Sequence, residues 1–349
     1  MKAVWLVGIL MTTTGDASAA TREAAIDAWM QDYAGPVPGA SVLVLKDGAP
    51  VFQRSYGMAD LEAAIAASPT ANYRLASISK QFTAAGVLLL AEDGALAIDD
   101  PLRRWLPSLP AATDGVTLRH LLSHTSGLVD YEDLIPDEQT RQVRDADVLR
   151  LLEHQERLYF PAGSAYRYSN SGYALLALVV ERASGQRFAT FLRTRIFLPL
   201  GMRATQARED DGPAMTDRAF GYSLVGGRWQ RTDQSTTSAV LGDGGIYSSL
   251  EDLARWDAAL YDDRLLSAAS RAQAFAPATA TSERDVAHYG FGWRLQDGMQ
   301  WHSGESIGFR NVLLRFPAQR LTVVVLTNRN DPEPYRLARR IAGLWGAAP

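Results

Sequence analysis

Ser77-Ile78-Ser79-Lys80, with the run Phe82-Thr83-Ala84-Ala85-Gly86-Val87-Leu88-Leu89-Leu90-Ala91 close behind it, sets how the rest of the chain is read. The run has the length and composition of a helix, and Gly94 is placed to end it. On a helix, Ser77 and Lys80 lie three apart on one face, whereas Ser79 and Lys80 point in different directions. A serine at a helix start with a lysine one turn on is the spacing of a nucleophile and the group that activates it. Alone, the pattern is weak, because a capping serine followed by a solvated lysine has the same letters.

The lysine stands out in its own chain. Of 35 basic residues, only Lys2, Lys46 and Lys80 are lysines. Arginine stays protonated in proteins, while a lysine can give up its proton and act as a base. The net charge of −4 comes without any basic block, which argues against nucleic acid as a partner.

Working outward, Lys2, the apolar run 3–11 and Ala17-Ser18-Ala19 have the layout of a secretory signal, so residues 1–20 are expected to be removed on export to the periplasm or medium. The run is too short to span a bilayer, no later segment is long enough, and no stable membrane anchor is expected. There is no cysteine for a lipid anchor or a disulfide. Residues 22–34 have the apolar spacing of an amphipathic helix. Segments 41–45 and 51–56 form a hairpin through Asp47-Gly48. Helices are expected over 117–122, 145–155, 173–183, 188–198, 250–260 and 265–275. Segments 289–295, 299–302, 309–316 and 321–327 read as strands, and Pro334 opens a last helix. The fold class is therefore α+β: an antiparallel sheet from both ends of the chain, flanked by helices, with a mostly helical insertion. The α/β part covers about 21–80 and 285–349 and the helical part about 81–284, within one domain over 21–349.

Two further stretches carry chemistry. Tyr166-Arg167-Tyr168-Ser169-Asn170 opens a helix; Tyr168 near a cation can serve as a base, and Asn170 can orient a lysine or a polar substrate. Trp301-His302-Ser303-Gly304-Glu305 closes a strand; Gly304 lets a substrate approach the backbone, and His302 is expected to face the cleft as a proton-handling group. His120 and His124, four apart, have zinc-ligand spacing on a helix, but no glutamate stands between them in the His-Glu-x-x-His manner.

Ser77-x-x-Lys80, Tyr168-Ser169-Asn170 and His302-Ser303-Gly304, in this order, resemble the motifs of the penicillin-recognising serine hydrolases: class C β-lactamases, DD-peptidases and related esterases and D-aminopeptidases. Residues 116–128, Leu198-Pro199-Leu200-Gly201-Met202 and Gly244-Gly245-Ile246-Tyr247-Ser248-Ser249 also look like family segments, so the resemblance runs from about residue 25 onward. It implies a β-lactamase/transpeptidase-like fold and an acyl-enzyme at Ser77, with Lys80 and Tyr168 moving protons. It also implies that Asn170, His302, Ser303 and Gly304 bind substrate, and that the backbone N–H groups of Ser77 and Glu305 form an oxyanion hole. No cofactor or metal is implied; the partner is a small-molecule or peptide substrate. Class C β-lactamases have Lys-Thr-Gly where this chain has His302-Ser303-Gly304, which favours D-amino-acid peptides or small esters over β-lactams. The alternatives are a β-lactamase and a catalytically silent binder of cell-wall peptides. Oligomeric state is not written in the sequence.

Overall fold

The computed structural model describes residues 14–209, 212 and 214–347. The chain divides into two compact units, Met1–Asp32 and Tyr33–Pro349. In the first, helix α1 (Thr14–Trp29) begins earlier and stops sooner than the helix expected at 22–34. The apolar run 3–11 read as the core of an export signal lies outside the described residues.

The second unit is organised by an eight-stranded antiparallel sheet. Its strands are β1 (Ala40–Lys46), β2 (Ala49–Tyr56), β3 (Thr279–Ala280), β4 (His288–Tyr289), β5 (Arg294–Gln296), β6 (Met299–Ser306), β7 (Phe309–Phe316) and β8 (Leu321–Thr327). The order across the sheet is β3-β4-β5-β6-β7-β8-β1-β2, so β1 pairs with β8 and joins the two ends of the chain. Asp47 and Gly48 both have positive φ (54° and 82°), the two-residue turn that matches strand twist and closes the β1–β2 hairpin. Every residue of β8 is buried and β1 is buried from Ala40 to Leu45, as expected of strands covered on both faces.

Helices supply those covers. Asp257, in the helix Leu250–Ala259, accepts from the Arg315 Nε at 2.6 Å and the Thr322 Oγ at 2.8 Å. Tyr335, in the helix Tyr335–Gly343, stacks its ring 4.3 Å from that of Trp301. Trp301 pairs with Leu314, the neighbour of Arg315, and successive strand residues face opposite ways, so these two helices cover opposite faces. Helix α2 (Lys80–Glu92) is buried along its whole length from Lys80 to Leu90, as a helix apolar all round must be. Against it lies α3 (Asn170–Ser184), capped by the Ser169 Oγ, which accepts from the Gly172 N–H at 3.3 Å, and ended by Gly185 at φ 69°.

Two expectations need correcting. The strand read at 289–295 is two short strands, because Gly290-Phe291-Gly292-Trp293 turns to bury Phe291 and Trp293 in the core. The interval read as helices and loops also contains β structure: a three-stranded sheet of Tyr73–Arg74, Ile246–Ser248 and Gln206–Ala207, and a hairpin of Tyr222–Val225 with Arg228–Arg231. Among the described residues, no helix is long and apolar enough to cross a membrane.

Candidate active site

Ser77 sits in a tight 3-10 turn, Ala76–Ser79, that feeds directly into α2. Ala76 holds φ at 49°, a strained conformation for a residue with a Cβ, and strain of this kind gathers beside reactive groups. The turn is fastened on both sides: the Leu75 N–H donates to the Ile246 carbonyl at 2.8 Å, and the Ser79 Oγ accepts from the Ile246 N–H at 3.2 Å. Ser79 thus ties two segments together and does not cap α2.

Lys80 is fully buried. Its Nζ donates to the Ser77 Oγ at 3.1 Å, the Asn170 Oδ1 at 2.9 Å and the Asp243 carbonyl at 2.9 Å. The Tyr168 ring lies 4.9 Å and the Tyr173 ring 5.6 Å from the ammonium, so two π faces help to offset its desolvation. Asn170 is itself held: its backbone N–H donates to the Asp130 Oδ2 at 3.2 Å and its Nδ2 to the Glu132 Oε1 at 3.0 Å. The structure therefore brings Ser77, Lys80 and Asn170 together by side-chain hydrogen bonds. Tyr168 joins them through its ring only; its hydroxyl is buried with no hydrogen-bond partner among the described residues.

Asp243 was not legible from the motifs. The Tyr131 hydroxyl donates to its Oδ2 at 2.9 Å, and burial pushes its carboxyl up to about 7, against the opposing pull of Lys80. Asp145 fixes the Asp243 segment by accepting from the N–H groups of Leu241 and Gly242 at 2.9 and 3.0 Å. Gly242 has no room for a side chain, since a Cβ would stand 2.2 Å from the Tyr173 carbonyl oxygen.

The third motif is placed differently from the expectation. It does not end a strand: β6 continues through it to Ser306. β5 pairs only with Met299–Trp301, so beyond Trp301 that edge of β6 has no strand beside it and meets the Ser77 turn instead. At Gly304 the approach is so close that a Cβ would stand 1.9 Å from the Leu75 carbonyl oxygen. Ser77, Asn170, Glu132, Asp243, Glu305 and Ser306 line one small cleft. A roomier hollow lined by Arg144, Glu181, Arg187 and Glu209 shares no residue with it.

His302 does not face that cleft. It is fully buried, donating from Nδ1 to the Ser303 carbonyl at 2.6 Å and accepting at Nε2 from the Tyr289 hydroxyl at 3.0 Å, the roles assigned from those partners. Burial, then the nearby Arg294 and Lys80 charges, hold its pKa well below the ordinary value. It is neutral at neutral pH and gives no positive charge for a substrate. Ser303 is also turned to the protein, accepting from the Arg294 Nη1 at 3.0 Å. Below about pH 6.5 the unfolded chain binds a proton at this histidine and the folded chain does not, so its contribution to stability is lost as pH falls. The stability gap between His302→Gln and the parent should therefore narrow by roughly 1 kcal/mol per pH unit below that point, measured by urea unfolding. A constant gap from pH 7 to 5 would mean that the imidazole takes up its proton in the fold as readily as in the unfolded chain.

The zinc-spacing pair is taken apart by the backbone. The helix Leu118–Leu122 stops before His124, which has φ 58°. The Nδ1 of His120 accepts from the Thr117 N–H, and that of His124 from the Ser169 N–H. His124 instead packs its ring 4.3 Å from that of Tyr168 and 4.5 Å from that of Tyr289.

A buried amine aimed at a serine, with a strand edge alongside, is the working arrangement of a serine hydrolase. The comparisons with known proteins say the same. The Beta-lactamase family model matches residues 23–344, and the chain belongs to that family of serine hydrolases. It is 34% identical over 317 residues to penicillin-binding protein 4* of Bacillus subtilis, covering 85% of this chain and 70% of that one. It is 30% identical over 343 residues to a D-aminopeptidase of Gluconobacter oxydans, covering 95% of this chain and 63% of that protein's length. Among solved structures, the octameric penicillin-binding protein homologue of Pyrococcus abyssi superposes with a TM-score of 0.82 at 25% identity, covering 95% of this chain and 78% of that one.

Proposed function

We propose that the protein hydrolyses amide or ester bonds through an acyl-enzyme at Ser77, acting on D-amino-acid peptides or amides or on small esters. The observation that carries this reading is the coordination of Lys80. Two of its three partners, the Asn170 Oδ1 and the Asp243 carbonyl, can only accept. A neutral amine that donates its two N–H bonds to them presents its lone pair to the third partner, the Ser77 hydroxyl. The Ser77 proton then passes to Nζ as Oγ bonds to the carbonyl carbon. The oxyanion is taken up by the backbone N–H groups of Ser77 and Glu305. The C–N or C–O bond breaks as the leaving group receives that proton, with the unpartnered Tyr168 hydroxyl as relay. Water gives its proton to the same groups, adds to the acyl ester, and releases the acid and Ser77.

The likeness to a D-aminopeptidase and a penicillin-binding protein supports the substrate class, and the neutral His302 weighs against a β-lactamase that uses a fixed charge at this motif. Export, supported by Lys2, the apolar run 3–11 and Ala17-Ser18-Ala19, belongs to the same reading. One experiment tests both parts. Protein expressed in an exporting bacterium and treated with a fluorophosphonate should gain one adduct by intact mass, on a chain that lacks the first 19 or 20 residues. Ser77→Ala should gain none. Equal labelling of both proteins removes Ser77 as the nucleophile, and a full-length exported mass removes the signal.

A further inference from the structure

Lys80 is held by a backbone segment that is itself held from behind, by a buried acid that the acyl-transfer chemistry does not use. Asp145 opens the helix Asp145–Leu152. Its Oδ2 accepts from the Leu241 N–H at 2.9 Å and its Oδ1 from the Gly242 N–H at 3.0 Å. One carboxylate thus takes two successive N–H groups at the start of the short helix Leu241–Gly244. The next residue, Asp243, turns its carbonyl to the Lys80 Nζ.

On its other sides the segment is packed tightly. The Gly242 carbonyl accepts from the Oγ1 of Thr83, one turn along α2 from Lys80, at 2.7 Å. Toward α3 a Cβ at Gly242 would stand 2.8 Å from the Ala177 Cβ, so the backbone has no slack there. Toward Asp145 there is room: Asp145 and Leu241 both line the hollow of about 380 Å³ that shares no residue with the Ser77 cleft. On that side two hydrogen bonds, not packing, keep the segment in place.

Resting on the serine-hydrolase reading, we infer that Asp145 is a positioning residue for the acylation of Ser77. Its carboxylate sets, through the backbone of 241–243, where the Lys80 amine stands. Protonating the acid turns one of its two acceptors into a donor that meets an N–H, and the segment is released toward the hollow. Burial pushes the Asp145 carboxyl up to about 7, helped by Glu181 on α3 and opposed by the Leu241 and Gly242 N–H groups. The other charged groups facing it are Arg144, Arg187, Arg208 and Glu209 around the hollow, and Asp243 on the clamped segment.

The test measures kcat and KM for p-nitrophenyl butyrate in the parent and in Asp145→Asn from pH 8 to 5.5. Asparagine keeps the shape but offers one accepting oxygen and sets its NH2 against the second N–H. At pH 8 kcat should fall about 10- to 100-fold with little change in KM, the cost of a displacement approaching 1 Å. The parent's advantage should shrink toward one at pH 5.5, where its own acid is neutral. Lys80, Tyr168 and Asp243 are common to both proteins and cancel in the ratio. Asp252→Asn is the control: Asp252 also takes two successive N–H groups, those of Ala204 and Thr205, both at 2.9 Å. That segment makes no hydrogen bond to Lys80, so the variant should lose stability in urea and keep kcat. A folded Asp145→Asn with the parent's kcat overturns the inference, as does a deficit equal at pH 8 and 5.5 or one shared by Asp252→Asn. If Asp145→Asn does not fold, Asp145→Ser, whose hydroxyl takes one of the two N–H groups, carries the same comparison. A parent whose Ser77 takes no fluorophosphonate label removes the serine reading and this inference with it; with a labelled parent, failure falls on Asp145 alone.

Discussion

Lys80→Met is expected to lower kcat/KM for p-nitrophenyl butyrate by about 10²- to 10⁴-fold, the usual worth of a positioned general base. Methionine follows the same path between the Tyr168 and Tyr173 rings but offers no lone pair basic enough for the Ser77 proton. It also leaves the Asn170 Oδ1 and the Asp243 carbonyl without their donor, which costs about 1–3 kcal/mol for each buried acceptor. Removing a buried polar amine offsets part of that loss. Urea unfolding shows whether the variant is folded, and the rate of fluorophosphonate labelling isolates the acylation step. A folded variant that acylates within threefold of the parent rate would show that Ser77 is activated by something else.

The second large effect is expected at a residue with no side chain. In Gly304→Ala the new Cβ would stand 1.9 Å from the Leu75 carbonyl oxygen and 3.0 Å from its carbon, and both are backbone atoms. Strand β6 and the Ser77 turn must move apart, at a cost of about 1–3 kcal/mol in stability. On the proposed mechanism the Glu305 N–H retreats from the reacting carbonyl, and a shift near 1 Å is worth on the order of 10² in kcat. Because the lost contact is to the oxyanion, kcat should fall much more than KM changes. Gly226→Ala is the control: it sits in the exposed hairpin at φ 58° with nothing within 4 Å, so it costs stability through backbone strain but spares turnover. Equal losses of activity in the two variants would show that the closeness of Gly304 to Leu75 has no catalytic meaning.

Much of this was readable before any coordinates. β7 and β8 run over the same residues as the runs read at 309–316 and 321–327, because apolar, β-branched strands bounded by turn residues are hard to mistake. Helix α2 was legible in the length and composition of its run, and the pairing of Ser77 with Lys80 in their spacing taken together with the two downstream motifs. The failures have a common cause. Asp243, Tyr131 and Glu132 lie on short helical turns and meet the site only through the tertiary fold, Asp243 by its carbonyl on Lys80, Tyr131 by its hydroxyl on Asp243 and Glu132 by its carboxylate on Asn170, and nothing local marks them. His302 looked like a cleft residue because its neighbours in sequence are; the strand's alternation instead turns its ring inward to Tyr289. Gly304 was correctly read as a place of close approach, but the neighbour is the protein's own Leu75 carbonyl.

The pairing of β1 with β8 has a consequence in time. Val42 stands opposite Val325, so the sheet joins residues separated by most of the chain. Loop-closure entropy must be overcome before such a contact gives anything back, which makes the pairing slow and late. Ser77 follows the first hairpin and Glu305 lies in the strand next but one to β8. A chain still emerging from the ribosome has a serine and a lysine but no opposing strand edge. On the proposed mechanism the serine is therefore unarmed until the strands of the far end of the chain have docked.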